Sequence, residues 1–297
     1  MDSRTVLVTG ASGFVGKAVT ARLRSAGHTV YPFARATGGD VRRPEAFRPF
    51  LDRGINTVIH CAGLTFVPDS WTHAAEFYAV NTSGTQHVLD YCRATGARHI
   101  FVSAYLYGRP QYLPMDEGHP VVPNNPYAHS KWLAEELCRF YAAEMGVGSV
   151  ILRPFNLYGP GQADHFLIPT IVRQARHGEQ IVVKDDTPRR DYLHIDDFAD
   201  ACLRTLACPD TALQVFNAGS GTSLSVRDVI EAVIRATGSP AGWRSLGERR
   251  QGEIPDTVAD TSAIRRALGW QQRIRFDDGL RALLSSNGAS WEVNRDA

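Results

Sequence analysis

Val6-Leu7-Val8-Thr9-Gly10-Ala11-Ser12-Gly13-Phe14-Val15-Gly16 runs from an apolar, β-branched strand through a turn into the start of a helix. At this G-x-x-G-x-x-G spacing one glycine lets the chain turn sharply, one lets backbone N–H groups approach a phosphate, and one lets the helix pack close to the sheet. The helix N-terminus, with unpaired N–H groups and the positive end of the dipole, then favours an anion. A ligand-free strand-to-helix turn would also use glycine, but the strand before and the amphipathic helix after are what a dinucleotide-binding loop requires. Gly10, Ser12, Gly13, Phe14, Val15 and Gly16 are therefore expected around the pyrophosphate of a nicotinamide dinucleotide.

Outward from this loop, short β-rich runs alternate with longer helical stretches. Strands are predicted at 5–9, 29–33, 57–61, 99–103, 148–152 and 214–217, and helices at 14–25, 44–52, 72–94 and 127–145. In the last helix apolar Leu133, Leu137, Phe140 and Tyr141 fall on one stripe. Right-handed crossovers between such strands give an α/β fold, a Rossmann-type doubly wound parallel sheet. After Arg153 the chain is broken by Pro154, Gly159-Pro160-Gly161, Gly178 and Pro188. Residues 1–155 are thus expected to form the dinucleotide-binding domain, its sheet completed by about 189–218. Residues 156–297 are expected to form mainly a smaller, partly interleaved C-terminal substrate lobe, loosely docked after Leu284.

Composition narrows the function. The 297 residues, 43% hydrophobic, can bury a sizeable core, and 32 basic against 31 acidic residues leave a net charge of +1. That balance gives no footprint for nucleic acid. Five scattered cysteines without a CxxC pair argue against a disulfide framework or zinc site, and the ten histidines show no metal-ligand spacing, so no metal is expected. The N-terminus lacks a signal-peptide core, and no apolar run approaches the roughly 20 residues of a membrane span. A cytoplasmic protein without a membrane partner is expected.

Chemistry enters at Tyr127-Ala128-His129-Ser130-Lys131, where a phenol and an ammonium share one face of a helix opened by Pro126. A nearby ammonium favours phenolate and would lower the tyrosine pKa, making it a general acid or base. At the end of the second strand, where an acidic residue would suit the ribose hydroxyl of NAD, the chain has Phe33-Ala34-Arg35. A cation there suits the 2′-phosphate of NADP, which is preferred over NAD; a solvated surface arginine is the plainer account.

Several further segments resemble, in order, an extended short-chain dehydrogenase/reductase of the NAD-dependent epimerase/dehydratase family acting on nucleotide sugars. They are Gly39-Asp40-Val41, His60-Cys61-Ala62-Gly63, Asn81-Thr82-Ser83-Gly84-Thr85, the run from Phe101 to Gly108, and the run from Arg153 to Gly161. Later come the run from Arg189 to Asp197, Arg249-Arg250-Gln251-Gly252-Glu253, and Leu268-Gly269-Trp270. The resemblance spans nearly the whole chain. It implies that Ser103, Tyr127 and Lys131 are catalytic, with Ser103 beside the reacting oxygen and Lys131 also on the nicotinamide ribose. It implies further that Asp40 and Val41 contact adenine, that Cys61, Ala62, Gly63 and Pro154 line the cofactor, and that Asn81 supports the catalytic helix. Ser103, Ala104, Tyr105, Asn156, Arg190 and Arg250 would meet the substrate, the arginines gripping its diphosphate. A homodimer formed through the helices at 72–94 and 127–145 is also implied.

Within that family, dehydratases place an Asp-Glu pair after the Ser/Thr, and this chain has Ala104-Tyr105, neither of which moves a proton readily. Decarboxylating members carry further acidic groups that are not found here. Two reactions remain. A 4-keto reductase of a nucleotide-linked hexose consumes NADPH, whereas a 4-epimerase takes hydride from the sugar and returns it to the other face using retained NAD. Arg35 and the short link from Arg35 to Asp40 favour the reductase. A non-catalytic cofactor sensor is a third reading, which the intact Ser103, Tyr127 and Lys131 disfavour.

Overall fold

The computed structural model describes residues 3–178, 180–209, 213–249 and 252–286. The first half runs β1 (Thr5–Thr9), α1 (Phe14–Ser25), β2 (Thr29–Phe33), 3₁₀ turns at Arg35–Thr37 and Pro44–Phe50, β3 (Thr57–His60), α2 (Val67–Thr72) and α3 (Ala74–Phe77). A π-helical turn at Tyr78–Ser83 leads into α4 (Gly84–Thr95), followed by β4 (Arg98–Val102), α5 (Pro126–Glu144) and β5 (Ser149–Pro154). The second half runs β6 (Asn156–Tyr158), α6 (Leu167–Arg176), β7 (Ile181–Val183), β8 (Arg189–Arg190), β9 (Tyr192–His194), α7 (Ile195–Arg204) and β10 (Gln214–Ala218). It ends with β11 (Leu224–Ser225), α8 (Val226–Thr237), β12 (Trp243–Ser245), α9 (Ser262–Leu268) and α10 (Phe276–Ser286).

One six-stranded parallel sheet, ordered β10-β5-β4-β3-β1-β2, forms the centre. Alternation along β1 sends Val6 and Val8 to one face, with Val19 and Leu23 of α1 and Phe198 and Cys202 of α7. Leu7 goes to the other face, with Val88 and Leu89 of α4 and Ala134 and Cys138 of α5. Helices on both faces bury β3 and β4 completely, polar Thr57, His60, Arg98 and His99 included. The chain reverses at β1, pairing β2 on one side and β3 on the other. A crevice therefore opens beyond the carboxyl ends of β1 and β3, where ligands bind in open α/β sheets. A separate core, with Ile168 and Ile171 of α6, Val229 and Val233 of α8 and Leu280 of α10, packs the second lobe.

The doubly wound α/β expectation is met, and several local expectations are corrected. Segment 44–52 is a 3₁₀ stretch ending at Phe50, since Pro49 lacks the N–H an α-helix would use there. The helix expected over 72–94 begins earlier and is divided into α2, α3, the π turn and α4. In α5 the buried face is Ala134, Cys138 and Tyr141, while Leu133 and Leu137 are half-buried and Phe140 is 52% exposed, so the apolar stripe divides, Tyr141 turning inward and Phe140 outward. All five cysteines are free, and among the described residues no helix is long and apolar enough to cross a membrane. Arg250 and the tail beyond Ser286 lie outside the described residues.

Candidate active site

Gly10 turns the chain at φ 66° and abuts the next strand so closely that a Cβ would lie 2.7 Å from the Ala62 backbone. A Cβ on Gly16 would fall 2.1 Å from the Gly10 carbonyl oxygen, so β1 and α1 can meet at this angle only without a side chain there. Gly13 occupies the N-cap of α1 with no side-chain cap, and the first turn carries no acidic residue. The N–H groups of Phe14, Val15 and Gly16 therefore stay available to an anion, the arrangement a dinucleotide pyrophosphate fits. Gly63 completes the cradle: a Cβ there would stand 3.1 Å from both Lys131 Nζ and Asn81 Oδ1.

From this loop a cleft of about 1080 Å³ runs between the lobes. Gly10, Gly13, Phe14, Val15, Gly16, Cys61, Gly63 and Pro154 line it, together with Ser103, Ala104, Tyr105, Tyr127, Lys131, Asn156 and Arg190. Ser12 is exposed at the turn, and Ala62 touches the loop through its backbone. The Phe33 carbonyl accepts the Ala11 N–H at 3.3 Å, bringing the end of β2 and hence Arg35 beside the glycine loop. Arg35 is exposed, and among the described residues its guanidinium has no hydrogen bond or ion pair. The Asp40 carboxylate is instead held by Arg42 at 2.6 Å, whose guanidinium lowers its pKa to about 2. Val41 is buried, with its side chain on Gly84 and its carbonyl on the His87 ring.

Asn125 caps α5 by accepting the Ala128 N–H at 2.9 Å, and Pro126 opens the first turn. Tyr127 and Lys131 then project into the cleft from one face. Buried Asn81, in the π turn, bonds both backbone groups of Leu64 and the Ser130 hydroxyl, tying the loop after β3 to α5. Lys131 Nζ donates to the Val102 carbonyl at 2.8 Å and lies 4.7 Å from the centre of the Phe101 ring. Burial lowers its pKa to about 8. The expected depression of the Tyr127 pKa is not what the structure shows. Burial penalises the phenolate first and Tyr105 adds to it, so the phenol stands above its ordinary value. The ammonium that was to lower it is engaged by Val102.

Two features escaped the sequence, buried Glu135 and the Phe66–His165 contact. Fully buried Glu135 accepts the Ser103 hydroxyl at 2.6 Å and pairs with Arg153, an 18-residue separation that no local pattern reveals. Its position four residues after Lys131, on the same side of the helix, was the available signal. Arg190 donates to the carbonyls of Arg189 and Ile254, each at 2.7 Å, and to Glu253, which fix its guanidinium at the cleft wall. Phe66 from one lobe packs edge-on against His165 from the other, with centroids 4.4 Å apart, across the cleft.

Residues 6–219 match the NAD dependent epimerase/dehydratase family. The chain belongs to that family. It is accordingly a nicotinamide-dependent enzyme of the epimerase/dehydratase type. It is 32% identical to the GDP-6-deoxy-D-mannose reductase of Pseudomonas aeruginosa over 98% of each chain. Among solved structures, RMD of Pseudomonas aeruginosa complexed with NADPH superposes with a TM-score of 0.87 at 30% identity, covering 96% of this chain and 98% of that one. UDP-glucose 4-epimerase of Bifidobacterium longum, in complex with NAD+ and UDP, gives 0.88 at 29% identity, again over 96% and 98%. Within this epimerase/dehydratase family both NAD and NADPH thus occur in neighbours of the chain.

Proposed function

We propose that the chain is an NADPH-dependent 4-keto reductase of a nucleotide-linked hexose or deoxyhexose. The observation that carries this is the meeting of Ser103, Tyr127 and Lys131 on the wall of one cleft that ends at the glycine loop. When bound there, a nicotinamide supplies or removes hydride at a sugar carbon. The chain's own groups do the rest. The N–H groups around 10–16 hold the pyrophosphate, and Lys131 holds the adjoining ribose. Tyr127, kept protonated by its burial, donates its proton to the sugar oxygen as that oxygen gains negative charge. Ser103 hydrogen-bonds the same oxygen. Asn156, Arg190 and Arg250 grip the diphosphate, so that residues 1–155 serve the dinucleotide and 156–297 mainly the sugar nucleotide.

The exposed guanidinium of Arg35, without a hydrogen bond or ion pair among the described residues, supports NADPH over NAD, because a 2′-phosphate offers it charge and acceptors. The 32% identity to a GDP-6-deoxy-D-mannose reductase across both full lengths supports reduction. A 4-epimerase is the second reading, supported by the likeness to the Bifidobacterium longum enzyme. Mass spectrometry for co-purifying NAD, followed by an NADPH-oxidation assay with 4-keto-6-deoxy nucleotide sugars, separates the two. Tyr127→Phe should bind NADPH and lose about 100- to 10,000-fold in turnover; undiminished turnover would sink this assignment.

Exposed Phe140, with half-buried Leu133 and Leu137 on the same side of α5, supports a homodimer through this helix.

A further inference from the structure

With a sugar at Ser103 and Tyr127 and its diphosphate at Arg190, the nucleoside of the substrate is left to the second-lobe wall of the cleft, to which none of the roles above assigns a ligand. That wall is built on β7 and β12, whose ends are joined by the Leu246 N–H on the Val183 carbonyl at 2.9 Å and the Glu248 N–H on the Lys184 carbonyl at 2.8 Å. Ile171, Val183 and Val226, members of one buried core, also line the cleft and give a flat base an apolar floor. Three charged side chains at the ends of this strand pair line it as well, Lys184, Asp185 and Glu248. Asp185 is already engaged: its Oδ1 accepts the Thr187 N–H and hydroxyl at 2.9 and 2.8 Å, and Arg249 stands 3.6 Å from its Oδ2. Lys184 and Glu248 are exposed, and among the described residues neither side chain has a hydrogen bond or ion pair, although their backbones are joined. An ammonium and a carboxylate therefore stand side by side on the cleft wall with their donors and acceptors unspent.

The edge that a base turns to such a pair decides which base fits. Guanine presents in order a carbonyl, an N–H and an amino group, whereas uracil and thymine present a carbonyl, an N–H and a second carbonyl. The first position suits the ammonium in either case. At the other two, one carboxylate takes both guanine donors through two charge-assisted bonds, but against uracil or thymine one of its oxygens faces a carbonyl oxygen. We propose that Glu248 and Lys184 are specificity-determining residues that select guanine, so that the substrate is a sugar linked to guanosine diphosphate. This rests on the reading of the cleft as a nucleotide-sugar site.

Calorimetric titration with free GDP, UDP and inosine diphosphate, which lacks the amino group of guanine, tests the selection without turnover. GDP should bind at least about tenfold more tightly than UDP, with inosine diphosphate between them. Glu248→Gln, which keeps the size of an exposed side chain but not its paired acceptors, should weaken GDP about tenfold, to near inosine diphosphate, and leave UDP no weaker. Lys184→Ala should weaken all three several-fold without changing their order. NADPH should bind both variants as it binds the unaltered chain, which controls for the fold. UDP binding as tightly as GDP, or a preference for GDP that survives Glu248→Gln, would overturn the proposal. Where neither GDP nor UDP binds the unaltered chain, the nucleotide-sugar reading of the cleft has itself failed, and the selection of guanine falls with it.

Discussion

Lys131 carries a positive charge into a position only 3% exposed, and the desolvation brings its pKa down from 10.5 to about 8. On the proposed reading its ammonium must be charged to hold a ribose hydroxyl. Deprotonation as pH rises through that value removes the charge, so kcat/KM, which reports the free enzyme, should fall above about pH 8. Lys131→Arg, whose guanidinium does not deprotonate in this range, should abolish that alkaline limb even where it lowers the maximum rate. A pH profile of NADPH oxidation for both proteins checks it, and an unchanged limb in Lys131→Arg would assign the titration elsewhere. Tyr127 and Lys131 were readable in the sequence because they sit four residues apart on one helix. Their electrostatics were not, since the Val102 carbonyl and Tyr105 reach them only through the tertiary fold.

At the scale of elements, β1, α1 and β2 have the bounds their sequence predicts, because β-branched runs and a glycine-rich turn are local signals. Local signals failed where something distant decides. Pro49 turned a helical pattern into 3₁₀ structure, and a π turn placed Asn81 against Leu64 and Ser130 inside what reads as one helix. Periodicity alone does not say which residues of the α5 stripe turn inward, as Tyr141 does, and which outward, as Phe140 does, because an apolar face repeats alike whether it meets a core or a partner. The two ends of α1 allow a contrast between two glycines. Gly27→Ala meets nothing within 4 Å and only a positive φ of 84°, and should cost about 1 kcal/mol without changing cofactor affinity. Gly16→Ala must displace the Gly10 carbonyl, and with it the N–H groups of the loop, so NADPH affinity should fall at least about tenfold. Calorimetric titration of both variants with NADPH is the measurement, and equal affinities would detach the loop from the cofactor.

For the whole molecule, association and acid stability draw on different parts of the structure. If α5 forms the dimer face, Phe140→Asp places a charge on its apolar stripe and should give monomers by light scattering, with the fold kept because Phe140 is outside the core. Acid stability instead draws on His60 and His99, buried neighbours whose rings are 6.0 Å apart in the sheet. Burial lowers the His99 pKa from 6.5 to about 3 and holds His60 well below its ordinary value, so both remain neutral in the folded chain. Below pH 6.5 the unfolded chain binds protons that the folded one refuses, and stability therefore falls as pH falls. Their contribution is complete above pH 6.5 and is lost progressively toward pH 3. Between pH 7.5 and 5 the neutral His99 should cost about 2 kcal/mol. His99→Phe, beside Phe101, removes one titrating group. Urea denaturation at the two pH values should then show the acid penalty reduced by about 2 kcal/mol relative to the unaltered chain. An unchanged penalty would place the acid sensitivity in other groups.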